Sequence, residues 1–310
     1  MSSQRKTHDK LQRIMGRTLR QYPLIEPGDK ILIALSGGKD SLALMDLLGE
    51  RMKRSQGGFE LAALHVRMPH VGYSTDADYL RKQADKWGIP FHLKVASFPP
   101  DTNEKRSPCF LCAWNRRKVL FDEAQKMGFR KIAFGHHQDD LIQTALLNLT
   151  FAGSFNTMPV LLKMRKFDMT LIRPMAAIPE NLLKEWAVLQ NYQPLIKTCP
   201  HETQGNRLKM KQLAEQMERL NPDYRHSIWH AMEKSGILIE EMADHEETSP
   251  SVGFHNSQIL VFPSYFTEKR EILSKKVNQR MVSFPKSANF AAVSRQAPRK
   301  FGSFIILYYS

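Results

Sequence analysis

Short runs of apolar residues alternate along this chain with longer stretches in which apolar positions recur every three or four residues. Ile31-Leu32-Ile33-Ala34-Leu35 is apolar throughout, the pattern of a strand covered on both faces. Leu42 to Leu48 then reads as a helix with a wide apolar face. Further strands are predicted at 59–66, 90–95 and 131–135, and further helices at 75–87, 112–127 and 139–152. Repeated strand–helix units predict an α/β fold, a parallel sheet with helices on both faces, whose ligands lie beyond the carboxyl ends of the strands. An amphipathic helix over 8–20 precedes the first strand, with Arg13, Arg17 and Arg20 on or near its polar side. After Gly153 the pattern changes to a hairpin, 159–165 against 169–173, and then to helices at 179–190, 206–220 and 224–234. The chain thus divides into an N-terminal helix (1–28), an α/β core (29–158), and a hairpin with helical C-terminal additions (159–245). A basic appendage (246–310) follows, with no catalytic residue.

Charge changes this picture. Among 310 residues, 45 Lys and Arg stand against 31 Asp and Glu, a formal charge of +14. Such a surplus points to a polyanionic partner, nucleic acid above all, without separating RNA from DNA. No apolar run is long enough to span a bilayer and the N-terminus lacks an apolar signal core, so cytoplasmic residence and no membrane partner are expected.

Between the first strand and its helix lies Ser36-Gly37-Gly38-Lys39-Asp40-Ser41. Glycines let backbone N–H groups approach a ligand, a helix N-terminus adds partial positive charge, and Lys39 adds a full one. The element is built to hold phosphate, but its spacing is not that of the Walker loop. A second group, Gly135-His136-His137-Gln138-Asp139-Asp140, sits at another strand–helix turn. Adjacent histidines diverge and are a poor pair of ligands for one ion, and aspartates at a helix start are good caps. Opposite a phosphate loop, however, a carboxylate suits the Mg²⁺ that accompanies ATP.

The three cysteines form the third group: Cys109 and Cys112 in a C-x-x-C at a helix start, and Cys199 beyond the hairpin. So few thiols argue against a disulfide framework and for metal or redox chemistry. Three thiolates suit a [4Fe-4S] cluster with one iron left open, zinc completed by His201 or Glu202, or a redox disulfide with a resolving thiol.

The loop Ser36–Ser41, Pro108-Cys109-x-x-Cys112, Arg116-Arg117, the Gly135–Asp140 group, Ile172-Arg173-Pro174 and Cys199 occur in an order that resembles the tRNA 2-thiocytidine synthetase (TtcA) family. That family belongs to the PP-loop ATP pyrophosphatases, of adenine nucleotide alpha-hydrolase-like fold. The resemblance, from about residue 10 to 235, implies an enzyme that adenylates C2 of cytidine 32 in tRNA and replaces the oxygen with sulfur, a tRNA sulfurtransferase. It implies ATP, Mg²⁺ and a [4Fe-4S] cluster, with tRNA, a sulfur donor such as a cysteine desulfurase, and a homodimer as partners. By the same resemblance Ser36, Gly37, Gly38, Lys39, Asp40, Ser41, His65, Gly135 and Asp139 bind the nucleotide. Lys39, Asp40 and Asp140 act in catalysis, and Cys109, Cys112 and Cys199 hold the cluster. Arg116, Arg117, Lys118 and Arg173 meet RNA, while Trp114 is expected in the core rather than against a base. The family often has a second C-x-x-C where this chain has Cys199-Pro200-His201-Glu202. A uridine 2-thiolase or lysidine synthetase shares the loop and is the alternative activity. A non-catalytic RNA-binding protein fits the charge but leaves the loop and the aspartates unexplained.

Overall fold

The computed structural model describes residues 3–56, 58–68, 73–74, 76–96, 108–164, 168–197 and 206–242. Cys199, its neighbours His201 and Glu202, the side chain of Cys109 and the appendage 246–310 lie outside the described residues.

A seven-stranded sheet runs in the order β4 (Phe91–Val95), β2 (Phe59–Arg67), β1 (Asp29–Ala34), β5 (Lys131–Ala133), β7 (Met169–Ile172), β6 (Leu161–Met164) and β9 (Ile239–Met242). The first five of these are mutually parallel; β6 is antiparallel to β7, and β9 is parallel to β6. The apolar run of β1 is central because both its faces are covered. Ile31 and Ile33 belong to one buried cluster, packed by α1 (Ser3–Gln21), α2 (Lys39–Arg54), α3 (Ala77–Asp85), α5 (Gln138–Leu147), α6 (Glu180–Leu189) and α8 (Tyr224–Lys234). Leu32 and Ala34 belong to the other, covered by Leu120, Phe121 and Ala124 of α4 (Pro108–Lys126). Alternation along the strand thus feeds two cores.

Three expectations change. The hairpin is no separate extension: β7 pairs with β5 in parallel register, Ile132 opposite Leu171, so the sheet runs on across the expected boundary at 158. The C-x-x-C helix begins at Pro108 rather than Cys112, since proline suits a first helical turn. The predicted helix 139–152 ends as α5 at Leu147 and continues as a π-helical turn, Asn148–Ala152, closed by Gly153 at φ 64°. Two short pairings carry too few residues to show a period: β9, and β3 (Tyr73–Ser74) against β8 (Ile196–Lys197). The helix α7 (Asn206–Leu220) packs against α5 and α8.

Candidate active site

The phosphate loop leaves β1 and enters α2. Gly37 sits at φ 91°, a conformation that strains any side-chain-bearing residue. Two hydroxyls brace the loop: Ser41 Oγ accepts from Gly37 N (3.2 Å) and donates to Gly38 O (2.9 Å), and Ser36 Oγ accepts from Gly38 N (3.3 Å). Ser41 is buried and acts within the loop rather than facing the cleft. Gly135, at the end of β5, lies against the first turn of α2; a Cβ there would stand 3.0 Å from Asp40 C and Ser41 N.

Lys39 turns to carboxylates from two helices. Its Nζ lies 2.9 Å from both oxygens of Asp40 and 3.3 Å from Oε1 of Glu180, in the first turn of α6. Burial disfavours the Lys39 ammonium, but the two carboxylates outweigh it and raise its pKa. Burial likewise opposes the Glu180 carboxylate, yet Lys184 and Lys39 hold it down to about 2. The start of α6 is tied to the start of α5, because Glu180 N donates to Asp139 Oδ2 (2.7 Å) and Gln138 N to Ile178 O (2.9 Å). Three helix N-termini, those of α2, α5 and α6, are therefore linked around Lys39, and their dipoles favour an anion.

The two aspartates of the second group separate in role. Asp139 is buried, with Oδ2 on Glu180 N and Oδ1 on Arg225 Nε (2.9 Å). It joins α5 to α6 and α8. Asp140 Oδ2 accepts from His137 N (3.1 Å), closing the N-terminus of α5. His65 is also buried; its Nδ1 must donate to Leu35 O (2.8 Å), and burial lowers its pKa, so a neutral ring braces the strand end that launches the loop.

Arg173 is fully buried. Its Nε donates to His136 Nδ1 (3.2 Å), its Nη1 donates to Pro159 O, and the guanidinium lies 5.8 Å from the centre of the Phe134 ring. Burial, with Arg117 adding like charge, brings its pKa down to about 9. Of the residues expected to meet RNA, Arg117 is buried as well, Lys118 is exposed and Arg116 is half-buried. Trp114 is 37% exposed on α4, not a core residue as its type suggested. Cys112 packs beside the cluster containing Leu32 and Phe134, with Arg116 Nη2 4.0 Å from its Sγ. Cys109 precedes Cys112 by three residues on the same helix.

A cleft of about 610 Å³ opens between Ser36, Gly38, Lys39 and Asp40 on one side and Lys184, Val188 and residues 191–195 on the other. Sequence reasoning missed what holds that second wall. Tyr192 donates its hydroxyl to Asp46 Oδ2, Trp87 Nε1 donates to Asp46 Oδ1 (2.7 Å), and Gln193 N donates to Tyr79 Oη (3.1 Å). Burial raises the pKa of Asp46, which both donors partly offset. Glu180 was missed too, although an acidic residue opening the helix after Ile172-Arg173-Pro174 was a readable signal.

Comparison with known proteins agrees with this geometry. A PP-loop domain matches residues 4–194. The tRNA-cytidine(32) 2-sulfurtransferase of Polynucleobacter asymbioticus is 33% identical over 238 residues, 73% of this chain and 76% of that protein. The protein of the same name from Geobacter sulfurreducens is 33% identical over 233 residues, 73% of this chain and 89% of that one. Among solved structures, the U34-tRNA thiolase NcsA of Methanococcus maripaludis, with its [4Fe-4S] cluster, aligns at TM-score 0.61 and 24% identity. The alignment covers 78% of this chain and 82% of that one, a likeness of fold.

Replacing Gly135 by alanine tests the close approach. The added methyl must push the first turn of α2 aside, and a displacement of a few tenths of an ångström at Asp40 and Ser41 is expected to weaken ATP binding about tenfold. Calorimetric titration with MgATP reads this; unchanged affinity would mean that the approach is not needed for binding.

Proposed function

The chain belongs to the PP-loop family of tRNA-cytidine(32) 2-sulfurtransferases, and we propose that it uses ATP to activate C2 of cytidine 32 in tRNA and exchanges that oxygen for sulfur. The observation that carries this reading is the linkage of three helix N-termini around Lys39, which lines the cleft, in a chain whose C-x-x-C, Cys109 to Cys112, opens α4.

The chemistry follows in two steps. The C2 oxygen of the cytidine attacks the α-phosphorus of ATP, and pyrophosphate leaves. Lys39 and the magnesium of the nucleotide stabilise charge on that leaving group, with Asp40 and Asp140 as the carboxylates for the metal. Sulfur then adds to C2 and AMP departs with the former carbonyl oxygen. Adenylation matters because AMP leaves readily where an amide-like oxygen does not.

Cys109, Cys112 and Cys199 would hold a [4Fe-4S] cluster. The residues fit: the C-x-x-C stands at the start of α4, and the Arg116 guanidinium near Cys112 Sγ favours a thiolate. When bound, a cluster held by three cysteines supplies an open iron site at which sulfide is delivered to the activated base. The reading includes a sulfur donor of the cysteine desulfurase class, cytoplasmic residence and a homodimer.

The N-terminal helix offers a place for RNA phosphates. Lys6, Lys10, Arg13, Arg17 and Arg20 are all exposed at alternating four- and three-residue spacing, a single stripe along α1. At 1.5 Å per residue the stripe spans about 21 Å. The opposite side of α1 packs on α6, the helix that walls the cleft, through Thr7 with Glu185 and His8 with Trp186.

Mass spectrometry of tRNA nucleosides from cells lacking the protein should show loss of 2-thiocytidine with other thionucleosides retained; persistence of 2-thiocytidine would refute the substrate. Wild-type protein purified without oxygen should be brown, with absorption near ~400 nm that Cys199→Ala loses. Colourless, zinc-containing protein would refute the cluster. Reversing Arg13 and Arg17 to glutamate should weaken tRNA binding at least about tenfold and reduce the salt dependence by about two ion equivalents. Equal titration curves for variant and wild type would remove α1 from the RNA surface.

A further inference from the structure

The Glu180 carboxylate has more cations around it than a structural ion pair needs. Lys39 Nζ of α2 lies 3.3 Å from Oε1; Lys184 Nζ of α6 and Lys211 Nζ of α7 lie 3.0 and 3.9 Å from Oε2. Three ammonium groups from three helices thus converge on one carboxylate. Asp40 engages Lys39, and no further carboxylate pairs with Lys184 or Lys211 among the described residues. The point of convergence is the N-terminus of α6, a helix of 10 residues, whose dipole favours an anion. It adjoins the cleft, since Lys39 and Lys184 both line the 610 Å³ space.

Two of these lysines come from outside the phosphate loop. Lys184 faces Glu180 one turn along α6, a pairing that on an exposed helix contributes little. Lys211 reaches the same oxygen from another helix, although its side chain is 44% exposed and water would solvate it well. Gathering three ammonium groups at one point is electrostatically unfavourable unless an anion sits among them. Glu180 and Asp40 together carry two charges against three ammonium groups; pyrophosphate, or the β,γ end of a triphosphate, carries several and offers more acceptor oxygens.

We propose that Lys39, Lys184 and Lys211 form an anion subsite for the β,γ-phosphates of the nucleotide and for the pyrophosphate that leaves, with Glu180 as the exchangeable counter-ion that occupies it in the nucleotide-free protein. The proposal rests on the ATP reading of the cleft given above. In it, phosphate oxygens take over the three ammonium groups as Glu180 Oε1 and Oε2 withdraw. Once pyrophosphate has formed, the returning carboxylate competes for the same lysines and favours its release. Glu180 is a positioning residue in this scheme and exchanges no atom with substrate.

The test is calorimetric titration of the full-length protein with inorganic pyrophosphate, in EDTA to exclude magnesium, and then with MgATP. Glu180→Gln, nearly isosteric, removes the competing charge and is expected to bind magnesium-free pyrophosphate about five- to tenfold more tightly than wild type. Lys184→Ala and Lys211→Ala are each expected to bind it about five- to tenfold more weakly, while Lys234→Ala, at the end of α8, is unchanged. The urea midpoint of each variant checks that it is folded. Weaker pyrophosphate binding by Glu180→Gln, or wild-type affinity in both lysine variants, overturns the subsite while leaving the ATP reading intact. Wild-type protein that binds neither pyrophosphate nor MgATP overturns the ATP reading and the subsite together.

Discussion

The site depends on a contact made by the absence of a side chain. Gly135 lets the end of β5 lie against the backbone of Asp40 and Ser41, where a Cβ would stand 3.0 Å from both and force them to shift. That approach sets the N-terminus of α2 beside the turn that starts α5. Asp139 extends the arrangement by accepting from the first residue of α6 and from Arg225 of α8. Helices far apart in the chain thus present their N-termini to one place, and Lys39 stands among them. The partial charges that hold a polyphosphate are fixed by packing before any ligand arrives, which lowers the cost of ordering the site on binding.

Because the anion field comes from several elements, residues with similar sequence credentials divide into different tasks. Asp140 and Asp139 are neighbours, yet one closes α5 and the other joins three helices. Arg116, Arg117 and Lys118 follow one another on α4, and the helical turn sends Arg117 inward, Lys118 outward and Arg116 toward Cys112. Arg173 belongs to the interior, where His136 and the Pro159 carbonyl satisfy part of its guanidinium. A run of basic residues therefore overstates the surface open to RNA, and the exposed stripe of α1 is the longer cationic face.

The main architecture was legible because its signals are local. The apolar run of β1, the glycine-rich turn and the amphipathic helices each announce themselves within ten residues or so, and the parallel order follows from their alternation. The phosphate loop was legible for the same reason, since Gly37 and Lys39 act where they stand. What escaped depended on contacts between distant segments. Glu180 lies 141 positions after Lys39, Tyr192 is 146 positions after Asp46, and the pairing of β7 with β5 turned an apparent extension into part of the sheet. Two-residue strands such as β3 and β8 have no period to read. Burial of Arg173 and exposure of Trp114 ran against residue type, because neighbouring elements rather than composition decide which side of α4 or β7 is covered.

The central claim is that ATP activates the base itself, so that the oxygen leaving C2 departs on AMP. A tRNA substrate carrying ¹⁸O at C2 of cytidine 32 tests this most directly when thiolated by the purified, anaerobic protein in unlabelled water. Mass spectrometry of the nucleotide product should find one ¹⁸O in AMP for each 2-thiocytidine formed. AMP without the label, accompanied by normal thiolation, would contradict the account.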